Sequence, residues 1–216
     1  MPLNRIFNTT NTFGADDIVG RVRAGQQING RPIALSEWRF TTGDPAVAAA
    51  VAELYGGEPG KWETQTDEAL EVLTTTSTLA VELTGLTSEF VLWGRGNRPI
   101  RTCNGSIQMD ELKTTCVCPS DIKEHKEAAK AGTACQPSVR ALFRLAASPD
   151  LGLFRFNSAS WGLAEEVNVL EADLAERGGT SEATLSLDLI EYTTKAGREV
   201  RYTKPAITLA DVPVAA

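Results

Sequence analysis

Alternation of apolar and polar residues dominates this chain and predicts strands over much of its length. Ile33, Leu35, Trp38 and Phe40 mark a strand that closes on Thr41, Thr42, Gly43 and Asp44. Leu70 and Val72, then Leu79, Val81 and Leu83, alternate with polar residues on either side of a threonine-rich turn, so both runs read as half-buried strands. Phe90 to Trp93 forms a further apolar run, ended by a turn that carries Arg95, Arg98 and Arg101. Beyond residue 136, Val139, Ala141, Phe143 and Leu145 point one way while Arg140 and Arg144 point the other. Ser148, Pro149 and Asp150 then turn the chain into a returning strand over 151–158. Leu185, Leu187 and Leu189 alternate again, and a turn at 193–198 leads to Val200 and Tyr202, which gives a second hairpin.

Helical signals are fewer. Asp44 followed by Pro45 supplies a side-chain cap and then a residue that needs no amide hydrogen, and Gly56-Gly57 stops the alanine-rich helix that follows. Leu163, Val167, Leu170 and Leu174 show helical spacing over 160–177, with Gly178-Gly179 beyond. A short helix is expected around His125, which reads as a solvated residue among lysines and glutamates. Asp16 to Arg23 predicts one or two helical turns ended by Gly25, in an otherwise irregular N-terminal segment, 1–27. The remaining divisions are an α+β half over 28–102, a cysteine-rich insertion over 103–136, a hairpin-helix-hairpin half over 137–209, and a tail over 210–216. The fold class is α+β: mostly antiparallel sheets and hairpins, two or three helices, and a central zinc-binding insertion built on four cysteines.

All four cysteines, Cys103, Cys116, Cys118 and Cys135, lie in that insertion, with twelve, one and sixteen residues between successive members. Four soft anionic ligands are what a structural zinc ion takes, and the intervals are loops that such an ion would close. On this reading the metal pins the join between the two halves. Buried reduced thiols packed as small hydrophobes are the alternative. Disulfides rank third, because no secretory leader is expected and a reducing cytosol is the expected setting. His125 offers a replacement for one thiolate.

Composition narrows the function. The 216 residues are 42% hydrophobic and carry a formal charge of −7. That sign opposes wholesale binding to nucleic acid or anionic lipid, and no apolar run approaches the ~18 residues of a membrane helix. The single histidine leaves a Ser-His-Asp arrangement without a plausible base. The glycines and cations of 94–99 lack the lysine-serine pair of a phosphate loop. Glu165 and Glu166 point ~100° apart on a helix and read as a solvated face. Four cysteines on a metal would fill the position a catalytic zinc keeps open for water, so no enzyme is expected. Two sets of cations, Arg140, Arg144 and Arg155, then Lys195, Arg198, Arg201 and Lys204, read either as a phosphate-binding patch or as the polar side of one-faced sheets. Phe143, Phe154, Phe156, Tyr192 and Tyr202 neighbour them, although Phe143 falls on the apolar face. Trp161 reads as packing at a helix start.

Five ordered stretches together carry a resemblance: GRPIALSEWRFTTGDPAVAAAVAELYGG, FVLWGRGNRPIRTCNG, the CVCP cysteines, FRLAASPDLGLFRFNSASWGLAEEV, and EYTTKAGREVRYTKP. Spanning most of residues 28–206, the chain resembles the recombination directionality factors of streptomycete and other actinobacterial phages that use large serine integrases. Residues 1–27 and 105–115 contribute little to it. The resemblance implies a non-enzymatic protein of the host-cell cytoplasm that binds the integrase, around its coiled-coil region, and redirects it from integration to excision at the hybrid prophage ends. Attachment-site DNA would then be met through the integrase, no membrane would be involved, and the cysteines would carry over only as a structural metal site. A single-strand-binding or replication accessory protein of a phage is the alternative. A metal-dependent hydrolase is the remoter one.

Overall fold

The computed structural model describes residues 18–28, 31–62, 68–195 and 197–211. Their order is β1 (Ile18–Ile28), β2 (Arg31–Thr42), α1 (Pro45–Tyr55), β3 (Pro59–Lys61), β4 (Leu70–Leu73), β5 (Thr78–Trp93) and β6 (Pro99–Cys103). Then come α2 (Ile122–Lys130), β7 (Gln136–Leu145), β8 (Leu153–Ser158), α3 (Trp161–Glu176), β9 (Ser181–Thr193) and β10 (Glu199–Leu209).

All the strands join one 10-stranded sheet in the order β10-β9-β5-β7-β8-β1-β2-β4-β3, with β6 also on β5. Every pairing is antiparallel except β1 with β8. The expected α+β class with mostly antiparallel strands and three helices is therefore present. Its two halves are not separate bodies, because β5 from the first lies between β7 and β9 of the second. The sheet curls until β2 meets β10, where Thr203 Oγ1 donates to the Leu35 carbonyl at 2.7 Å.

Two expectations are overturned. Residues 18–28 form a strand rather than a helical turn in an irregular segment, because Val22 alternates with Arg21 and Arg23 and enters the core beside Phe156. Asp16 and Asp17, where that turn would begin, lie outside the described residues. The apolar runs at Leu79–Leu83 and Phe90–Trp93 belong to one strand of 16 residues, β5. Its register on β7 shifts between Leu83 and Gly85, so the alternation breaks while the strand continues.

One face of the sheet, with α1 and α3, encloses the main core of Trp38, Phe40, Phe143, Phe154 and Phe156. Trp38 meets Phe156 edge-on at 5.3 Å between ring centres, and each such buried ring contributes ~2–3 kcal/mol. A second, smaller cluster forms at the far end of β5 from Phe90, Cys103 and Cys135, with Leu92, Cys116, Cys118 and Trp161 against it.

Candidate metal centre

The two strands beside the end of β5 bring the first and last cysteines together. Phe90 faces Cys103 across β6 and Pro137 across β7, so Cys103 ends one flanking strand and Cys135 immediately precedes the other. Buried Asn104 reverses the chain after Cys103: its Oδ1 accepts the amides of Ser106 and Ile107, each at 2.9 Å. A short bridge between Ile107 and Thr115, with the Cys116 amide donating to the Ser106 carbonyl at 2.8 Å, returns Cys116 to Cys103. Val117, 65% exposed, turns outward, and its two cysteine neighbours turn inward. Spacing by one residue thus places Cys116 and Cys118 on the same side of an extended segment.

The Sγ atoms of Cys103, Cys116 and Cys118 all lie within 4.8 Å of one another, with Cys103 and Cys116 at 3.2 Å. Tetrahedral thiolates at ~2.3 Å from zinc stand ~3.8 Å apart, a value inside this range. Cys135 adjoins the trio, its amide donating to Cys118 Sγ at 3.4 Å. The Cys118 amide donates to Cys116 Sγ, also at 3.4 Å. Arg101 reaches in from β6, with Nε donating to Cys135 Sγ at 3.4 Å and Nη2 to Cys118 Sγ at 3.5 Å. Hydrogen bonding from Cys103, and with it the Arg101 guanidinium, holds the Cys135 thiol down to about 5. The Cys103 thiol, which supplies that bond and is itself buried, is pushed up, as is Cys118 by burial. Soft donors, a neighbouring cation and amide hydrogens aimed at sulfur fit a thiolate-held ion, and the cysteines are not joined as disulfides.

His125 departs from its expected place. It is 3% exposed, beneath the cysteines rather than in solvent, with Nε2 at 2.8 Å from the Cys135 carbonyl. Its ring centre lies 5.1 Å from Phe90 and 5.2 Å from Trp161, and burial lowers its pKa. The imidazole therefore positions Cys135 through the backbone and does not stand in for a thiolate. Its isolation among charged residues concealed this, because α2 is polar on every side but one. In the sequence Arg101 reads only as part of a basic turn. Its spacing of two from Cys103 in a strand was the available signal, since i and i+2 share a face.

The cation sets do not combine. Arg201 pairs with Glu191 at 3.0 Å and Lys204 with Glu166 at 2.6 Å, whereas Arg140 and Arg155 lie on the hairpin beyond β5. Arg144 Nη1 donates to the Pro149 carbonyl at 3.2 Å. Lys195 and Arg198 are exposed at the tip of the β9–β10 hairpin. Phe143, Phe154 and Phe156 are core residues, while Tyr192 and Tyr202 are exposed. Glu165 pairs with Lys126, whose ammonium lies 5.5 Å from the Trp161 ring centre. Among the described residues no helix is long and apolar enough to cross a membrane.

A family model described as Gp3-like, recombination directionality factor-like, matches residues 19–212. No solved structure matches the chain.

Proposed function

The chain belongs to the Gp3-like, recombination directionality factor-like family, and on that premise we propose that it binds a large serine integrase and turns it from integration to prophage excision. The observation that carries this reading is the reach of the match, 19–212, which takes in every strand and helix except the first residue of β1. On this reading the protein makes and breaks no bonds. It holds the integrase in the arrangement that pairs the hybrid sites, and DNA is met through that partner.

Such a switch needs only differential affinity. A partner that binds both integrase arrangements equally shifts nothing, whereas a hundredfold preference for one takes ~2.7 kcal/mol. A rigid contact surface delivers that difference better than a mobile one, because less ordering is needed on binding. Cys103, Cys116, Cys118 and Cys135 fit this role as the ligands of one structural zinc ion, which would fasten β6, the CVCP segment and the start of β7 to the end of β5. With four thiolates on the ion, no position remains for water, and Arg101 offsets part of the thiolate charge. The nucleic-acid alternative keeps only Tyr192 and Tyr202 for stacking, since Phe143, Phe154 and Phe156 are buried in the core.

The test is recombination with purified components. Added to the integrase of the phage that encodes it, the protein should raise conversion of hybrid sites to excision products and suppress joining of phage and bacterial sites. Unchanged product ratios at saturating protein would end this reading.

A further inference from the structure

The sheet face turned away from α1 and α3 carries arginines on four adjacent strands: Arg140 on β7, Arg155 on β8, Arg21 and Arg23 on β1, and Arg39 on β2. Two pairs stand directly opposite one another, Arg21 against Arg155 and Arg23 against Arg39. Like charges in opposed positions destabilise a sheet, the more so with strands ~4.8 Å apart.

On the β1–β2 side the protein neutralises its own cations. Glu68 takes Arg21 on one oxygen at 2.6 Å and Arg23 on the other at 3.1 Å, and also accepts from Thr41 Oγ1 at 2.7 Å. Glu71 lies 3.0 Å from Arg39 Nε, and Trp62 covers Arg39 and Arg23 with its ring centre 5.0 and 5.6 Å away. Among the described residues the β7–β8 side has no such cover. Arg155 Nε is buried without a hydrogen-bond partner among the described residues. Burial, and after it the charges of Arg21 and Arg140, lowers the Arg155 pKa, while Glu68 counteracts them only through its field. Arg140 is exposed. Glu89 on β5 feels its charge, and burial, the stronger influence, raises the Glu89 pKa.

We propose that the open sheet face around Arg140 and Arg155 docks a segment rich in Glu and Asp from the protein partner. Glu68 shows the mode of recognition beside it, one planar carboxylate shared between two guanidinium groups. The same chemistry extended to β7 and β8 would neutralise Arg155, which stands opposite Arg21, and the exposed Arg140. A carboxylate segment is the occupant for which this face already supplies a precedent, in the Glu68 carboxylate held between Arg21 and Arg23. Assignment of the segment to the integrase rests on the preceding section; the chemistry of the face does not.

The experiment measures binding of a labelled oligo-glutamate peptide and of oligothymidylate to the full chain at low salt. The peptide should bind and the oligothymidylate should bind at least ~10-fold more weakly, with peptide affinity falling as salt is raised. Arg140→Glu and Arg155→Met should each weaken peptide binding ~10-fold or more. Arg155→Met should melt at or above the wild-type temperature, because it removes a buried cation opposed to Arg21. Arg201→Glu, the same charge change on the β9–β10 hairpin, should leave peptide affinity unaltered. No peptide binding by wild type, equal binding by Arg140→Glu, or tighter binding of oligothymidylate overturns the inference. In the recombination assay, a wild type that fails to redirect the integrase removes the proposed function alone. A wild type and an Arg140→Glu variant that redirect it equally well remove this proposal alone.

Discussion

Arg101 exerts its influence by charge and direction rather than by ligation. Its guanidinium donates to Cys135 and Cys118 from a position fixed by the β5–β6 pairing of Leu92 with Arg101. A thiolate that accepts such bonds is held in one orientation and shares its excess charge, which is how outer groups strengthen a metal site. Arg101→Leu should therefore keep all four sulfurs yet weaken zinc affinity by ~10–100-fold, measured by competition with a chromophoric chelator. Retention of wild-type affinity would show that the sulfurs alone set it. The convergence of the four cysteines was legible from residue type, since thiols confined to 103–135 have few other uses. The supporting groups were not. His125 and Asn104 resemble ordinary helix and loop residues until their partners, the Cys135 carbonyl and the amides after Cys103, are seen beside them.

At the level of elements, the helices were readable because their ends are chemical. Asp44 Oδ1 accepts the Ala46 amide at 2.8 Å, and the Gly56 amide closes α1 onto the Ala52 carbonyl. Gly57 shows how tightly that end is fitted: its φ is +87°, and an added Cβ would stand 2.1 Å from the Leu73 carbonyl oxygen on β4. Gly57→Ala should lower unfolding free energy by at least ~2 kcal/mol in denaturant titration, combining backbone strain with displacement of β4. A loss below ~0.5 kcal/mol would mean that the helix end has room to move. The strands were harder to read. Strand β1 alternates correctly, but glycines at 20 and 25 and acidic residues at 16 and 17 resemble helix punctuation. Strand β5 reads as two apolar runs because its bulge inverts the alternation, a break that local pattern cannot distinguish from a turn. Strand order lay further out of reach, since β1 beside β8 and β5 between β7 and β9 are long-range pairings that no local signal encodes.

Across the whole molecule, the metal centre and the main core are separate hydrophobic clusters that share strands. The larger contains Trp38, Phe40, Phe143, Phe154 and Phe156, and the smaller holds Phe90 with Cys103 and Cys135. Strand β5 runs through both, and α3 gives Trp161 to the smaller and Leu163 to the larger, so the smaller cluster is anchored on one side and bounded by sulfur on the other. With an ion held there, as proposed, its removal would leave thiolates crowded together, and their repulsion, or the cost of protonating them, would act first on the segments that carry them. Local opening is therefore expected before global unfolding, as regions with little apolar burial open at lower free energy. Metal analysis should find about one zinc per chain. After a strong chelator, amide exchange should rise first in β6, in residues 104–121, in α2 and at the start of β7. The amides of β1, β8 and the first half of β5 should stay protected until denaturant is added. Simultaneous loss of protection throughout would mean that the metal supports the entire sheet, and unchanged exchange in 103–135 would mean that the thiols pack without it. If opening is local, the chelated protein should retain its arginine-bearing face and bind the oligo-glutamate peptide as before. Any fall in its capacity to redirect an integrase would then trace to the surface around α2 and the CVCP segment, which separates a second contact region from the first.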